Sequence, residues 1–313
     1  MSRVAVMVFP SGEQFEISAA GYVAVVTESG AALRTLRHHG RDLVHGFGEA
    51  EMSGGGRGQL LMPWPNRIRD GRYTFGGRDL QLGLTDPSRG NASHGLARWA
   101  AWTLEEHAGT SVSLVYRLMA QTGYPWALDL HVLYDLSADG LTVTQTATNM
   151  SASAAPYAQG AHPYLRAEHD PIDRLELLLP AATRLLVDDR KLPTGREPVE
   201  GTAFDFRVSR PIRAAVLDDA FTDLARDDDG ATTVELRYPD TGRGVALWVD
   251  GRHRWLQVFS ADEAPGTARR SLAVEPMTAP PDAFRSGDDL TTLAPSGEDG
   301  DELSASWGIR ALV

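Results

Sequence analysis

Between residues 126 and 136 the chain alternates with a period of two. Trp126, Leu128, Leu130, Val132 and Tyr134 fall on one side, and Asp129, His131 and Asp135 on the other. Successive side chains point to opposite faces in a strand, so this run specifies a sheet buried on one face. The pattern returns at 141–149, where Leu141, Val143 and Ala147 alternate with Thr142, Thr144, Thr146 and Thr148, while 112–118 is rich in β-formers. Similar short runs occupy 3–9, 22–28, 100–106, 174–179, 183–187, 232–238, 244–249, 255–260 and 271–275. The 31 glycines and 18 prolines punctuate them. Phe75-Gly76-Gly77-Arg78 reads as a hairpin and Ala138-Asp139-Gly140 as a turn between two strands. No window carries a long helical stripe closed by caps at both ends. Many short strands with frequent turns predict an all-β fold, a large β-sandwich with few short helices.

No repeat and no linker divides the 313 residues, so 1–313 is read as a single domain. Against 30 basic side chains stand 42 acidic ones, a formal charge of −12. That balance argues against nucleic acid as a partner, because clustered Lys and Arg are needed to replace phosphate counterions. No stretch approaches the ~18 apolar residues of a membrane span. The opening Met1–Pro10 segment has an apolar run too short for a signal sequence, and a first strand over 3–9 is expected. Cysteine is absent, which removes disulfides, a thiolate nucleophile and thiolate-bound zinc, and fits a cytoplasmic location. Arg226-Asp227-Asp228-Asp229-Gly230 reads as an exposed turn rather than a cation site. Residues 285–306 form a Gly/Ser/Asp-rich approach to a final apolar strand.

Four segments carry chemistry. In Met62-Pro63-Trp64-Pro65-Asn66-Arg67-Ile68, two prolines fix the backbone around a tryptophan, an amide and a guanidinium. Arg67 offers a rigid donor fork for sugar hydroxyls or a carboxylate, and Trp64 a flat apolar face for a sugar ring. A surface turn with a packed tryptophan is the structural alternative. In Asn91-Ala92-Ser93-His94-Gly95-Leu96 a histidine beside glycine can approach a ligand closely, with Asn91 placed to orient it; an ordinary turn histidine fits the same residues. In Gly160-Ala161-His162-Pro163-Tyr164-Leu165, Pro163 holds His162 extended, and histidine exchanges protons near neutral pH. In Leu272-Ala273-Val274-Glu275-Pro276-Met277-Thr278 a carboxylate continues an apolar strand. It either meets water at the strand end or is buried, in which case its proton affinity is tuned. His38, His39, His45, His107, His131, His169 and His253 show no metal-ligand spacing, so no metal site is expected.

Taken in order, these segments resemble the aldose 1-epimerase (galactose mutarotase-like) family. The resemblance rests on Asn66-Arg67-Ile68, Asn91 through His94-Gly95, His162-Pro163-Tyr164, and Glu275-Pro276 followed by Pro281-Asp282-Ala283-Phe284. It includes Leu192-Pro193-Thr194-Gly195 with Gly201–Arg207, Leu217-Asp218-Asp219-Ala220-Phe221, and Leu256-Gln257-Val258-Phe259-Ser260. The similarity runs from about residue 20 to the C-terminus. It implies a β-supersandwich that interconverts α and β anomers of a free aldose without cofactor, nucleotide or covalent intermediate. Carried over residue by residue, Glu275 is the general base and His162, as imidazolium, the general acid. Arg67, His94 and Asp218 are the sugar-hydroxyl partners, with Asn66, Trp64 and Tyr164 completing the site. A carboxylate near His162 is expected to favour its charged form. The implied partner is a small sugar, met by a monomer or homodimer. The third motif ends His-Pro-Tyr-Leu where well-known members have His-x-Tyr-Phe, and Asp218-Asp219 replaces an Asp-His pair. The choice between Asp218 and Asp219 therefore stays open.

Three other readings share these residues. A hexose-6-phosphate epimerase on the same fold needs extra cations, for which Arg69, Arg72, Arg89 and Arg98 lie close in sequence. A carbohydrate-binding or sensing domain keeps the groove without the chemistry. A glycosidase or lyase needs two carboxylates, of which only Glu275 clearly qualifies, with Asp218 second.

Overall fold

A computed structural model describes residues 8–167, 171–263 and 266–313. The alternating run becomes the strand Leu128–Ser137, which pairs antiparallel with Gly140–Asn149 in an unbroken register from Leu128↔Asn149 to Ser137↔Gly140. Its apolar face, Leu128, Leu130, Val132, Tyr134 and Leu136, is buried. The final strand, Glu302–Leu312, inserts between Gly140–Asn149 and Gly244–Val249, so the end of the chain closes the middle of a nine-stranded sheet. That sheet continues outward through Ser111–Leu118 and Thr103–His107 on one side and Thr232–Arg237, Glu176–Leu178 and Arg210–Pro211 on the other.

An eight-stranded antiparallel sheet forms the second layer. Its order is Pro193–Pro198, Ala181–Val187, Asp218–Leu224, Trp255–Phe259, Leu272–Met277, Gly160–Ala161 and Leu60–Leu61, with Tyr164–Leu165 also paired to Leu272–Met277. The inward faces of both sheets share one apolar cluster, in which Leu130, Val132 and Trp307 of the first meet Leu256, Val258, Leu272 and Val274 of the second. A polar bridge crosses this core. Gln145 is fully buried, accepts the Trp307 indole N–H at 2.9 Å, and donates to the Gly160 carbonyl at 3.1 Å. Burying an amide is tolerable when both ends are paired, and here it locks the two layers in one alignment.

A four-stranded sheet of Gln14–Ala19, Tyr22–Thr27, Leu33–His38 and Arg41–Asp42 leans on the nine-stranded layer, held by hydrogen bonds such as Tyr134 Oη to the Ala31 carbonyl. Helix is confined to Ala283–Ser286 and the 3-10 turns Gly54–Gly56 and Ile172–Arg174 among the described residues. The hairpin at Phe75–Arg78 forms as read, and residues 225–230 are exposed. Most of the strand expected over 3–9 lies outside the described residues, and Val8 and Phe9 belong to no strand. The run at 100–106 becomes the wholly exposed edge strand Thr103–His107. Pro193–Pro198 is a strand that its sequence hides, because an exposed edge bounded by two prolines needs no apolar alternation. No helix among the described residues is long and apolar enough to cross a membrane.

Candidate active site

Three neighbouring strands of the eight-stranded sheet build the floor of a cavity of about 730 Å³, within the ~300–1,000 Å³ typical of small-molecule sites. Their register aligns Asp218 with Phe259 and Phe259 with Ala273, and in the next row Ala220 with Gln257 and Gln257 with Glu275. Alternation then divides the side chains. Phe221, Leu256, Val258, Leu272 and Val274 enter the main core. Asp218, Gln257, Phe259 and Glu275 point the other way and line the cavity. Glu275 is thus buried on a sheet face, 3% exposed, rather than in water at a strand end.

The same sheet brings His162 to it. Gly160 pairs with Met277 and Tyr164 with Ala273, so the same register carried across the intervening break sets His162 opposite Glu275. Pro163 causes the break, because it has no N–H to donate, while its carbonyl still accepts the Val274 N–H at 3.2 Å. The His162 backbone is clamped on its other side by bonds to Gln59 and Gly58. His162 Nε2 lies 3.3 Å from Glu275 Oε1. The imidazole stacks on Tyr164 with centroids 4.9 Å apart and meets His94 edge-on at 5.5 Å. It does not itself line the cavity but touches Glu275, Tyr164 and His94, which do.

Burial controls the protons. It pushes the His162 imidazole down to about 3, with cationic Arg98, Arg67 and Arg57 contributing. Burial, reinforced by the Asp218 charge and opposed by Arg67, raises Glu275 well above the usual carboxylate range. Burial thus works against both charged forms and draws the proton toward the carboxyl, opposing the imidazolium that the attraction of opposite charges favours. Glu275 Oε2 and His162 Nδ1 are buried without a protein partner among the described residues.

The other residues arrive on the chain's remaining segments. The short strands Arg67–Arg69 and Asn91–Ser93 pair, setting Arg67 opposite Ser93. Asn66 and His94, just outside this ladder, both adopt positive φ, 54° and 61°. Their backbones bond each other, and the Asn66 N–H also donates to His94 Nδ1 at 3.2 Å. Burial and neighbouring cations hold His94 well below its usual range, so it is neutral, and the Nδ1 bond assigns its proton to Nε2. Gly95 follows at φ +71, where a Cβ would lie 2.1 Å from the Met62 carbonyl oxygen, so only glycine closes this turn.

A directional chain of bonds spans the floor. Asp86 accepts Arg67 Nε at 3.0 Å, and Arg67 Nη1 donates to Asn66 Oδ1 at 2.9 Å. Asn66 Nδ2 donates to Gln257 Oε1 at 3.2 Å, and Gln257 Nε2 to Asp218 Oδ1 at 3.0 Å. Lys191 Nζ closes it, 2.7 Å from Asp218 Oδ2. The guanidinium can only donate and the carboxylate only accept, so the orientation of both amides is fixed.

Seven of the eight sequence-derived site residues, Glu275, His162, Arg67, His94, Asp218, Asn66 and Tyr164, are thus brought together. Trp64 is not. It is 3% exposed and packs edge-on against Phe284, which corrects its assignment as a sugar platform. Asn91 does not orient His94; it bonds Arg190 instead. Of the two aspartates, Asp218 lines the cavity, whereas Asp219 pairs with Arg184. Of Arg69, Arg72, Arg89 and Arg98, only Arg89 lines it. Gln257, Asp86 and Lys191 were not singled out by the sequence. Gln257 alone left a trace, a polar residue on the cavity face of an apolar strand.

Residues 13–304 match the family described as Aldose 1-epimerase. The Escherichia coli protein "Uncharacterized protein YihR" is 35% identical over 284 residues, covering 90% of this chain and 89% of its own. Galactose mutarotase of Mus musculus is 30% identical over 181 residues, 53% of this chain and 50% of its own. An aldose epimerase homologue from C. elegans superposes with a TM-score of 0.83 at 20% identity, covering 96% and 99% of the two chains. Galactose 1-epimerase from Lactobacillus acidophilus gives 0.76 at 20% identity, covering 94% and 92%. At such identities the two structures speak for the fold alone, while the sequence match extends over nearly the whole chain. The chain belongs to the aldose 1-epimerase family.

Proposed function

We propose that this protein interconverts the α and β anomers of a free aldohexose by acid/base ring opening and reclosure. The observation that carries the reading is the Glu275–His162 pair, 3.3 Å apart and buried at a cavity lined by hydroxyl-binding groups. Glu275 is the base and His162 the acid. The resting pair reaches the reactive form by moving its proton from the carboxyl to Nε2 across that contact. Glu275 then takes the proton of the anomeric hydroxyl. The oxygen's electron pair forms the C1 carbonyl, the bond from C1 to the ring oxygen breaks, and that oxygen takes the His162 proton. Rotation about C1–C2 presents the other carbonyl face, and closure runs the transfers backward. The proton count of the pair never changes. Opening leaves the carboxyl protonated and the imidazole neutral, the arrangement that burial favours. Positioned transfer of this kind is worth about 10²–10⁴-fold.

Arg67, Asn66, His94 Nε2, Tyr164 and Asp218 hold the sugar's hydroxyls; Arg57, Arg89 and Lys191 also line the cavity, so the phosphorylated sugar is compared directly in the test. The test is anomer exchange followed by NMR on freshly dissolved α-glucose, α-galactose and glucose 6-phosphate. Acceleration for a free sugar is expected. Acceleration of the phosphate alone, or binding of a sugar without acceleration, would overturn the reading.

A further inference from the structure

The sequence contains one lysine, Lys191; every other basic side chain in the chain is arginine. That lysine lines the cavity. It occupies the tip of the hairpin joining Ala181–Val187 to Pro193–Pro198, at a positive φ of 60°. The tip is rigid. Asp188 Oδ1 accepts the N–H groups of Arg190 and Leu192 at 2.9 and 3.0 Å, and the Lys191 N–H bonds the Asp188 carbonyl. Arg190, next door, fastens the tip to the opposite wall. Its guanidinium bonds the carbonyls of Arg89 and Gly90, Asn91 Oδ1 and Asp70 Oδ1, and Asn91 Nδ2 returns a bond to the Arg190 carbonyl. A fixed strap therefore crosses beside the cavity and presents a flexible four-carbon stem into it.

At the end of that stem the ammonium lies 2.7 Å from Asp218 Oδ2. It has three donors and spends one there. A sugar hydroxyl both donates and accepts, and an adjoining ammonium and carboxylate supply one partner of each kind. Arginine would replace the compact point charge with a planar fork. We propose that Lys191 is a substrate-binding residue, acting with Asp218 as a donor–acceptor couple for a hydroxyl of the bound aldose, and that the Arg190-pinned tip fixes its place. This rests on the anomer-exchange reading for the identity of the ligand.

A single lysine makes the test selective. Labelling with ¹³C-lysine yields one lysine Cε–Hε signal, assigned by its loss in K191M, and leaves all three N–H donors of the ammonium in place. The signal is followed while D-glucose, D-galactose and D-mannose are added, and KM and kcat for anomer exchange are measured for wild type and K191M. Expected are a shift saturating near the KM of the sugar that turns over, and a rise in KM of at least about tenfold in K191M with a smaller change in kcat. A sugar that turns over without moving the signal overturns the inference and leaves the reaction standing. A signal moved by a sugar that is not turned over supports Lys191 and sinks the reaction. No shift and no turnover with any of the three counts against both.

Discussion

Gly56 is where the geometry of the proposed proton-transfer pair can be disturbed without touching either member. It sits at φ +77, and a Cβ built there would lie 2.8 Å from His162 Cδ2 and 3.3 Å from Nε2. Carbon atoms rest at about 3.5–4.0 Å, so Gly56→Ala demands a displacement of roughly 0.7 Å or more. The imidazole has little room to give it, stacked on Tyr164 on one side and against His94 on another. The methyl group adds overpacking of about 1–3 kcal/mol to a left-handed backbone penalty of about 1–2 kcal/mol. Misplacing a reacting group by ~1 Å costs on the order of 10²-fold. We therefore expect Gly56→Ala to fold with a lowered melting temperature and to lose roughly 10- to 100-fold in kcat. Gly40 supplies the control: its φ is +78, but a Cβ there meets nothing within 4 Å. Gly40→Ala should carry the backbone penalty alone and keep its kcat. Thermal unfolding and anomer-exchange rates on the two variants decide the matter. A folded Gly56→Ala protein with wild-type kcat would refute the idea that His162 must stay where this wall puts it.

Glu275→Gln should lower kcat by about 10²–10⁴-fold while sugar binding, followed by calorimetry, survives. The rate should show a bell-shaped pH dependence. Acid adds a second proton as the pH falls toward the His162 value of about 3 and leaves no base, whereas alkali strips the last proton from Glu275, whose affinity is raised, and leaves no acid. Asp218→Asn should raise KM without unfolding the protein. Asp219→Asn, which removes one of the two carboxylates on the partly buried Arg184 and leaves Glu197 in place, should lower the melting temperature slightly and leave KM close to wild type. Gln145→Leu strands the Trp307 N–H in the core, and denaturant unfolding should show a loss of about 1–3 kcal/mol.

The strands were legible because burial on one face writes itself into the sequence as alternation. Leu128 to Leu136 and Leu141 to Ala147 occupy the sides that their spacing assigns. Pro193–Pro198 buries almost nothing, so its sequence carries little trace of a strand. In the site, His162 and Glu275 were recognisable as residues but not as neighbours. Their contact depends on a register between Gly160–Leu165 and Leu272–Met277 that only backbone pairing fixes. Trp64 shows the opposite failure. Its rigid, polar surroundings suggested exposure, yet Phe284, carried in by the short helix far along the chain, covers it. Lys191 and Gln257 lie in a turn and a strand that look ordinary until the tertiary fold turns both toward one cavity.

On the proposed reaction, burial also explains why the acid and the base belong on one sheet rather than on flexible loops. Each group alone, moved out of water, is driven to its neutral form, and a lone neutral carboxyl or imidazole carries only half of the chemistry. Set opposite each other, they share one proton, and the two ways of placing it differ only by its transfer across the contact. That makes the difference between resting and reactive states a matter of local fields, to which Arg67, Asp218 and a bound sugar all contribute. A loop would let the two groups separate, and each would then settle into its own neutral state. The antiparallel ladder, interrupted only at Pro163, keeps them together with no conformational entropy left to lose when the sugar arrives.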